Sequence, residues 1–185
     1  MVNINQVKNN KTTQENKVSD SPAAIITLLV DTSDYVEGYV DELEDAVNSF
    51  LDALRETLSD SNTLVQVLHF SDTTGIRWDP MLIRDLPPRY KMYRVGGNCN
   101  LYRAIDEAVN NTTLAILVRD EAGIPYDKGI VAVFTPGRAD DDRSSAEFLE
   151  FPIERADLRV NVYGVHIGDG SDLESFDRIF KHTEA

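Results

Sequence analysis

A chain of 185 residues with 42% hydrophobic content holds one α/β domain and little more. Its formal net charge of −14 opposes nucleic acid and anionic membrane at long range, and no apolar stretch approaches the length that spans a bilayer. The single cysteine, Cys99, excludes an internal disulfide and suits a reducing compartment.

Residues 1–22 are mostly Asn, Gln, Lys, Thr and Ser, without the apolar core of a secretory signal. They are expected to be a disordered polar tail, with the folded domain over 23–185 and a cytoplasmic location. Ala23 to Val30 is an apolar run, interrupted only by Thr27, that stops at Asp31, the pattern of a strand buried on both faces. A short loop through Gly38 then leads to a helix. There Val40, Leu43, Val47, Phe50, Leu51, Leu54 and Leu58 form one apolar face between acids. Leu64 to Phe70 reads as the second strand, and Gly75 to Trp78 as a short antiparallel edge strand with Trp78 capping the core. Asp79-Pro80 breaks the pattern, and Pro80 to Val95 is expected to be irregular.

Gly96-Gly97 opens a tight loop, and Asn100 to about Val118 reads as helix, with a break foreseen at Asn110 to Thr113. Gly129 to Thr135 is another buried strand, closed by Pro136-Gly137. Asp140-Asp141-Asp142 precedes a helix expected from Ser144 to Phe151, with Asp142 or Ser144 as its cap. Arg159 to Ile167 is a further strand. Ser171 is expected to cap a last helix whose Leu173, Phe176, Ile179 and Phe180 face inward. Strands alternating with helices give a doubly wound, mostly parallel sheet of six strands with one antiparallel edge, helices covering both faces.

In such folds ligands bind beyond the carboxyl ends of the strands. Three loops meet there: Asp31-Thr32-Ser33-Asp34-Tyr35, Gly96-Gly97-Asn98-Cys99-Asn100-Leu101 and Thr135-Pro136-Gly137. Together with Val162 to Gly168, their order and spacing resemble the von Willebrand factor type A family, from about Ala23 to about Lys181. That resemblance implies a metal-ion-dependent adhesion site, built on Asp-x-Ser-x-Ser, a Thr at the Gly-Gly loop and an Asp after the fourth strand. Mg²⁺ in such a site wants about six oxygens, one of them from a partner's carboxylate. Asp31 and Ser33 match. Tyr35 stands for the second Ser, and Pro136 for the last Asp. Cys99 stands for the Thr if Asn100-Leu101-Tyr102 sets the register, and Asn98 does if Gly96-Gly97 sets it. Asp34 or Asp140 could supply a displaced carboxylate.

The resemblance, with its ligands replaced, implies a non-catalytic protein-interaction module of the intracellular scaffold kind, needing no cofactor. Its partner face is placed at Asp34, Tyr35, Asn98, Cys99, Asn100, Pro136, Arg138 and Asp140. Arg89, Tyr90 and Arg94 form a second patch, since Tyr and Arg are enriched at interface hot spots. The acidic stretch Asp31 to Asp60 and the basic stretch Arg84 to Arg103 together allow weak self-association. Two rivals are carried beside this reading. One is Mg²⁺- or Mn²⁺-dependent protein binding through a rearranged site. The other is a hydrolase using the acidic loop or Cys99, whose thiol pKa would fall at a helix N-terminus, helped by His69 or His166.

Overall fold

The computed structural model describes residues 23–124, 126, 128–142 and 160–180. The expected tail and the helix foreseen from Ser144 to Phe151 lie outside these residues. Five strands are described, against the six expected: β1 (Ala24–Asp31), β2 (Leu64–Phe70), β3 (Thr74–Leu82), β4 (Lys128–Thr135) and β5 (Val160–His166). Their order is β3-β2-β1-β4-β5, all parallel except the antiparallel β2–β3 pair. Among them run α1 (Val40–Leu58), α2 (Leu101–Glu121) and α3 (Leu173–Phe180).

β1 sits at the centre because it is apolar on both faces. Ile26, Leu28 and Val30 pack with the α1 residues Leu43, Val47 and Leu51. Ile25 and Leu29 pack on the other face with Leu101, Ile105 and Ala108 of α2. Side chains alternate along a strand, so Thr27 shares the α2 face. It meets Thr112 there, Oγ1 to Oγ1 at 2.6 Å, while the Gln66 amide donates to Thr27 Oγ1 at 2.6 Å. Asp31 continues the same row to its end. The chain leaves β1 for β2 on one side and later returns through β4 on the other, which places a crevice at the carboxyl end of β1.

Several expectations need correction. The loop through Gly38 is a 3-10 turn over Asp34–Tyr39. β3 runs on through Pro80 to Leu82, because an edge strand can do without the N–H that proline lacks. A further 3-10 turn follows at Ile83–Asp85. α2 is unbroken: Thr112 Oγ1 donates to the Ala108 carbonyl at 2.7 Å within a continuous ladder. Leu173 faces outward, 47% exposed, whereas Phe180 is buried and Phe176 and Ile179 pack on the core. α3 comes close to β5 because Gly164 has no side chain: a Cβ there would lie 2.5 Å from Phe176 Cζ.

Candidate functional site

Asp31 is wholly buried at the end of β1. Its Oδ1 accepts the Ser33 N–H at 2.8 Å, the bond that shapes the first turn. Its Oδ2 accepts the Thr135 hydroxyl at 2.8 Å and the Cys99 thiol at 3.4 Å. Three loops therefore converge on one carboxylate. Burial pushes its pKa up, and the surrounding donors oppose that rise.

The loops are also joined to one another without any added ligand. The Gly96 N–H donates to the Thr32 carbonyl at 2.8 Å, and the Asp34 N–H to the Gly97 carbonyl at 3.0 Å. The Asp34 carboxylate in turn accepts the Gly97 N–H at 3.2 Å. Both glycines have positive φ, +144° and +98°, and a Cβ on Gly97 would lie 2.3 Å from Asp72 Oδ2. On the other side Asp140 bridges two loops. The Tyr35 phenol donates to its Oδ1 at 2.6 Å and the Cys99 N–H to its Oδ2 at 2.7 Å. Those bonds hold Asp140 below the usual carboxylate range, while Asp140 pushes the Tyr35 phenol up.

The acidic run after β4 thus does a different job from the one expected. Asp141 accepts the Tyr102 and Arg103 N–H groups at 3.2 and 2.9 Å, satisfying donors that the start of α2 leaves open. Cys99, and not Asn98, is the residue of this loop beside Asp31. Asn98 is exposed and turns away, its Nδ2 donating to Asp72 Oδ1 at 2.8 Å. Asn100 likewise binds the Asp72 carbonyl, at 2.8 Å. Thr135 and Asp72 are site residues that the sequence reading missed. Thr135 shows in the sequence only as the end of a strand, and no motif marks Asp72.

Three residues leave the expected binding surfaces. Cys99 and Pro136 are buried, so neither can touch a partner. Burial, followed by the charge of Asp31, pushes the Cys99 thiol well up, opposite to the fall expected at a helix start. Its Sγ also lies 3.0 Å from the Arg138 carbonyl, which competes with Asp31 for the single thiol proton. Tyr90 is core, not patch: it is 0% exposed. Its burial is made tolerable by Asn48, whose side chain accepts the Tyr90 N–H at 2.8 Å and donates to its carbonyl at 3.1 Å. The ring packs edge-on against His69 and Trp78, and its hydroxyl lies 2.6 Å from His69 Nε2. Burial, then the Arg77 charge, lowers the His69 pKa to about 4. His166 instead packs its ring edge against Phe176.

Asp34, Tyr35, Asn98, Arg138 and Asp140 remain at the surface or half-buried, with Arg138 stacked over the Tyr35 ring at 5.2 Å and paired to Asp172 at 2.8 Å. Arg89 and Arg94 are exposed, Arg89 lying 3.9 Å from Asp52.

A hard divalent cation needs about six oxygens in near-octahedral array. Of the motif positions only Asp31 and Ser33 keep the family's oxygen-bearing side chain type. Both Asp31 oxygens are engaged, the Tyr35 hydroxyl is turned to Asp140, Cys99 offers a protonated soft sulfur, and Pro136 offers nothing. As placed, these side chains leave few free oxygens at the motif positions. Among the described residues no group of three or more His, Cys, Asp or Glu is placed to hold a metal ion. Ser33 Oγ is buried beside the Asp31 carboxylate and the Cys99 thiol without a well-formed hydrogen bond to the described residues, which leaves it open to a further ligand.

No protein-family model and no curated protein sequence matches the chain. Solved structures do. An aerotolerance-related membrane protein from Bacteroides fragilis superposes with a TM-score of 0.52 at 14% identity, covering 80% of this chain and 69% of that one. The ArnB paralog VWA2 from Sulfolobus acidocaldarius gives 0.54 at 15% identity, over 89% of this chain and 40% of that one. A manganese-loaded Plasmodium vivax TRAP protein gives 0.54 at 19% identity, over 86% and 63%. The chain therefore spans less than two thirds of the last two. The likeness is one of fold: the chain has the von Willebrand A-type fold. Among the described residues no helix is long and apolar enough to cross a membrane.

Proposed function

We propose that this chain is a non-catalytic protein-interaction module that engages its partner through the carboxyl edge of the sheet without a metal ion. The observation that carries this reading is the Asp140 bridge. Its carboxylate ties the Tyr35 loop to the Cys99 loop through two short hydrogen bonds, so the rim is organised by the protein's own donors. The partner surface is then Asp34, Tyr35, Asn98, Arg138 and Asp140, with Asn100 at its margin. The cytoplasm is the proposed location, as a free thiol suits it. A thiol enzyme is disfavoured, since a buried, protonated Cys99 is a poor nucleophile. A pull-down with the full chain tests the reading: the partner is retained in EDTA, and Tyr35→Ala with Arg138→Ala releases it. A partner that dissociates in EDTA, or that ignores the double variant, refutes it.

The buried Ser33 hydroxyl favours a second reading, metal-dependent binding through a rearranged site; one neighbour of the same fold is manganese-loaded. It requires that millimolar Mn²⁺ raise the melting temperature by linkage, and an unchanged melt removes it.

A further inference from the structure

Beside the rim, between the β2–β3 turn and residues 93–97, lies a cleft of about 540 Å³. Arg77 reaches it from β3, and Arg94, Tyr93, Gly96 and Gly97 form its opposite wall. Among the described residues neither arginine has an ion pair. Against the one carboxylate among its lining residues, Asp72, the two guanidinium groups leave the cleft a net positive charge, which favours an anionic occupant. Arg77 is stacked over the Tyr93 ring at 4.4 Å, which fixes its plane. Its Nε is buried and makes no hydrogen bond to the described residues. The acid within the cleft, Asp72, is held by the Asn98 N–H at 3.2 Å and the Asn98 amide at 2.8 Å. His69, at the cleft floor, is neutral at pH 7 and adds no charge of its own.

We infer that this cleft takes a carboxylate of an acidic segment on the partner protein, held by the Arg77 and Arg94 guanidinium groups and flanked by the Tyr93 ring. The planar fork of arginine suits a carboxylate in two-point contact. Tyr93 is 76% exposed and gives such a segment a rigid apolar face to lie on. The inference rests on the protein-binding reading above and supplies the chemistry of the partner. It also recovers part of the expected basic patch: Arg94 belongs to it, Tyr93 takes the place of Tyr90, and Arg77 is added from another strand.

The test is fluorescence anisotropy of a labelled oligoglutamate peptide titrated with the full chain, with an oligoglutamine peptide as control. Binding is expected for oligoglutamate alone, weakening as salt is raised. Arg94→Gln, a change at an exposed side chain that leaves the fold intact, is expected to weaken it about tenfold, and Arg77→Gln with Arg94→Gln to abolish it. Tyr35→Ala with Arg138→Ala is expected to leave peptide affinity within about twofold. Loss of the native partner in that double variant with oligoglutamate binding intact therefore separates failure of the rim from failure of the cleft. Equal affinity for the two peptides, an Arg94→Gln variant that binds like the wild type, or binding of inorganic phosphate without the peptide would each overturn the assignment.

Discussion

Replacing Asp140 by alanine removes the bridge on which the metal-free reading depends. Two hydrogen bonds go, from the Tyr35 phenol at 2.6 Å and the Cys99 amide at 2.7 Å, while the backbone bond from Asp140 N to the Cys99 carbonyl at 2.8 Å stays. A hydrogen bond to a charged group is worth roughly 1.5–3 kcal/mol net, and a neutral one roughly 0.5–1.5 kcal/mol. Asp140 is exposed, so solvent screening puts each bond in the lower range, and the pair together at about 2 kcal/mol. In a domain of this size that lowers the melting temperature by about 4–8 °C at neutral pH. The pH dependence has a defined sign. The Tyr35 phenol first, then the Cys99 amide, hold the folded pKa below the ordinary 3.8. The stabilisation is therefore complete above 3.8 and is lost as pH falls through the lowered value. Thermal melts followed by circular dichroism, for wild type and Asp140→Ala, should converge on acidification below that point. Melting temperatures that agree at neutral pH, or a gap that persists undiminished in acid, would refute the bridge as the organiser of the rim.

Two further outcomes follow from the packing. Tyr90→Phe deletes a buried hydroxyl bonded to His69 Nε2 at 2.6 Å and should cost about 1–3 kcal/mol in denaturant unfolding, with partner binding unchanged. Binding lost at full stability would return Tyr90 to the surface patch. Gly164→Ala puts a methyl 2.5 Å from Phe176 Cζ and 2.7 Å from Phe180 Cδ2, and should loosen α3 at about 1–3 kcal/mol. Faster amide exchange over Leu173–Phe180 is the readout, and unaltered protection there counts against the contact.

The central strand is readable because an apolar run with only Thr27 to interrupt it fits no surface element, and α1 because its acids alternate with one apolar stripe. β3 was read too short. Its edge position is legible, but Asp79-Pro80 looks like a stop, although at an edge the N–H that proline lacks is not needed. Tyr90 stands between Arg89 and Lys91 in a segment without periodicity, so nothing near it marks it as core. Its burial depends on Asn48, 42 residues earlier in the chain. Cys99 follows the same pattern. The local rule for a helix start lowers a thiol pKa, but the fold sets Asp31 against it and closes off water, and those two effects prevail. The roles of Asp140 and Asp141 are hidden in the sequence because the amides they accept lie about forty residues away, at 41 and 39 for Cys99 and Tyr102.

The Thr27, Gln66 and Thr112 contacts lie far beneath the rim, yet they govern its height. They key α2 to the sheet like a shaft to its hub: a slide of one helical turn would strand three buried polar groups in a dry interior. From Thr112 up to Leu101 is roughly 16 Å of stiff helix, so the level at which Cys99 and its neighbours emerge is gauged from below. Substitutions at Thr27 or Thr112 would then detune recognition at a distance, through the elevation of the loop and not through any group that meets the partner.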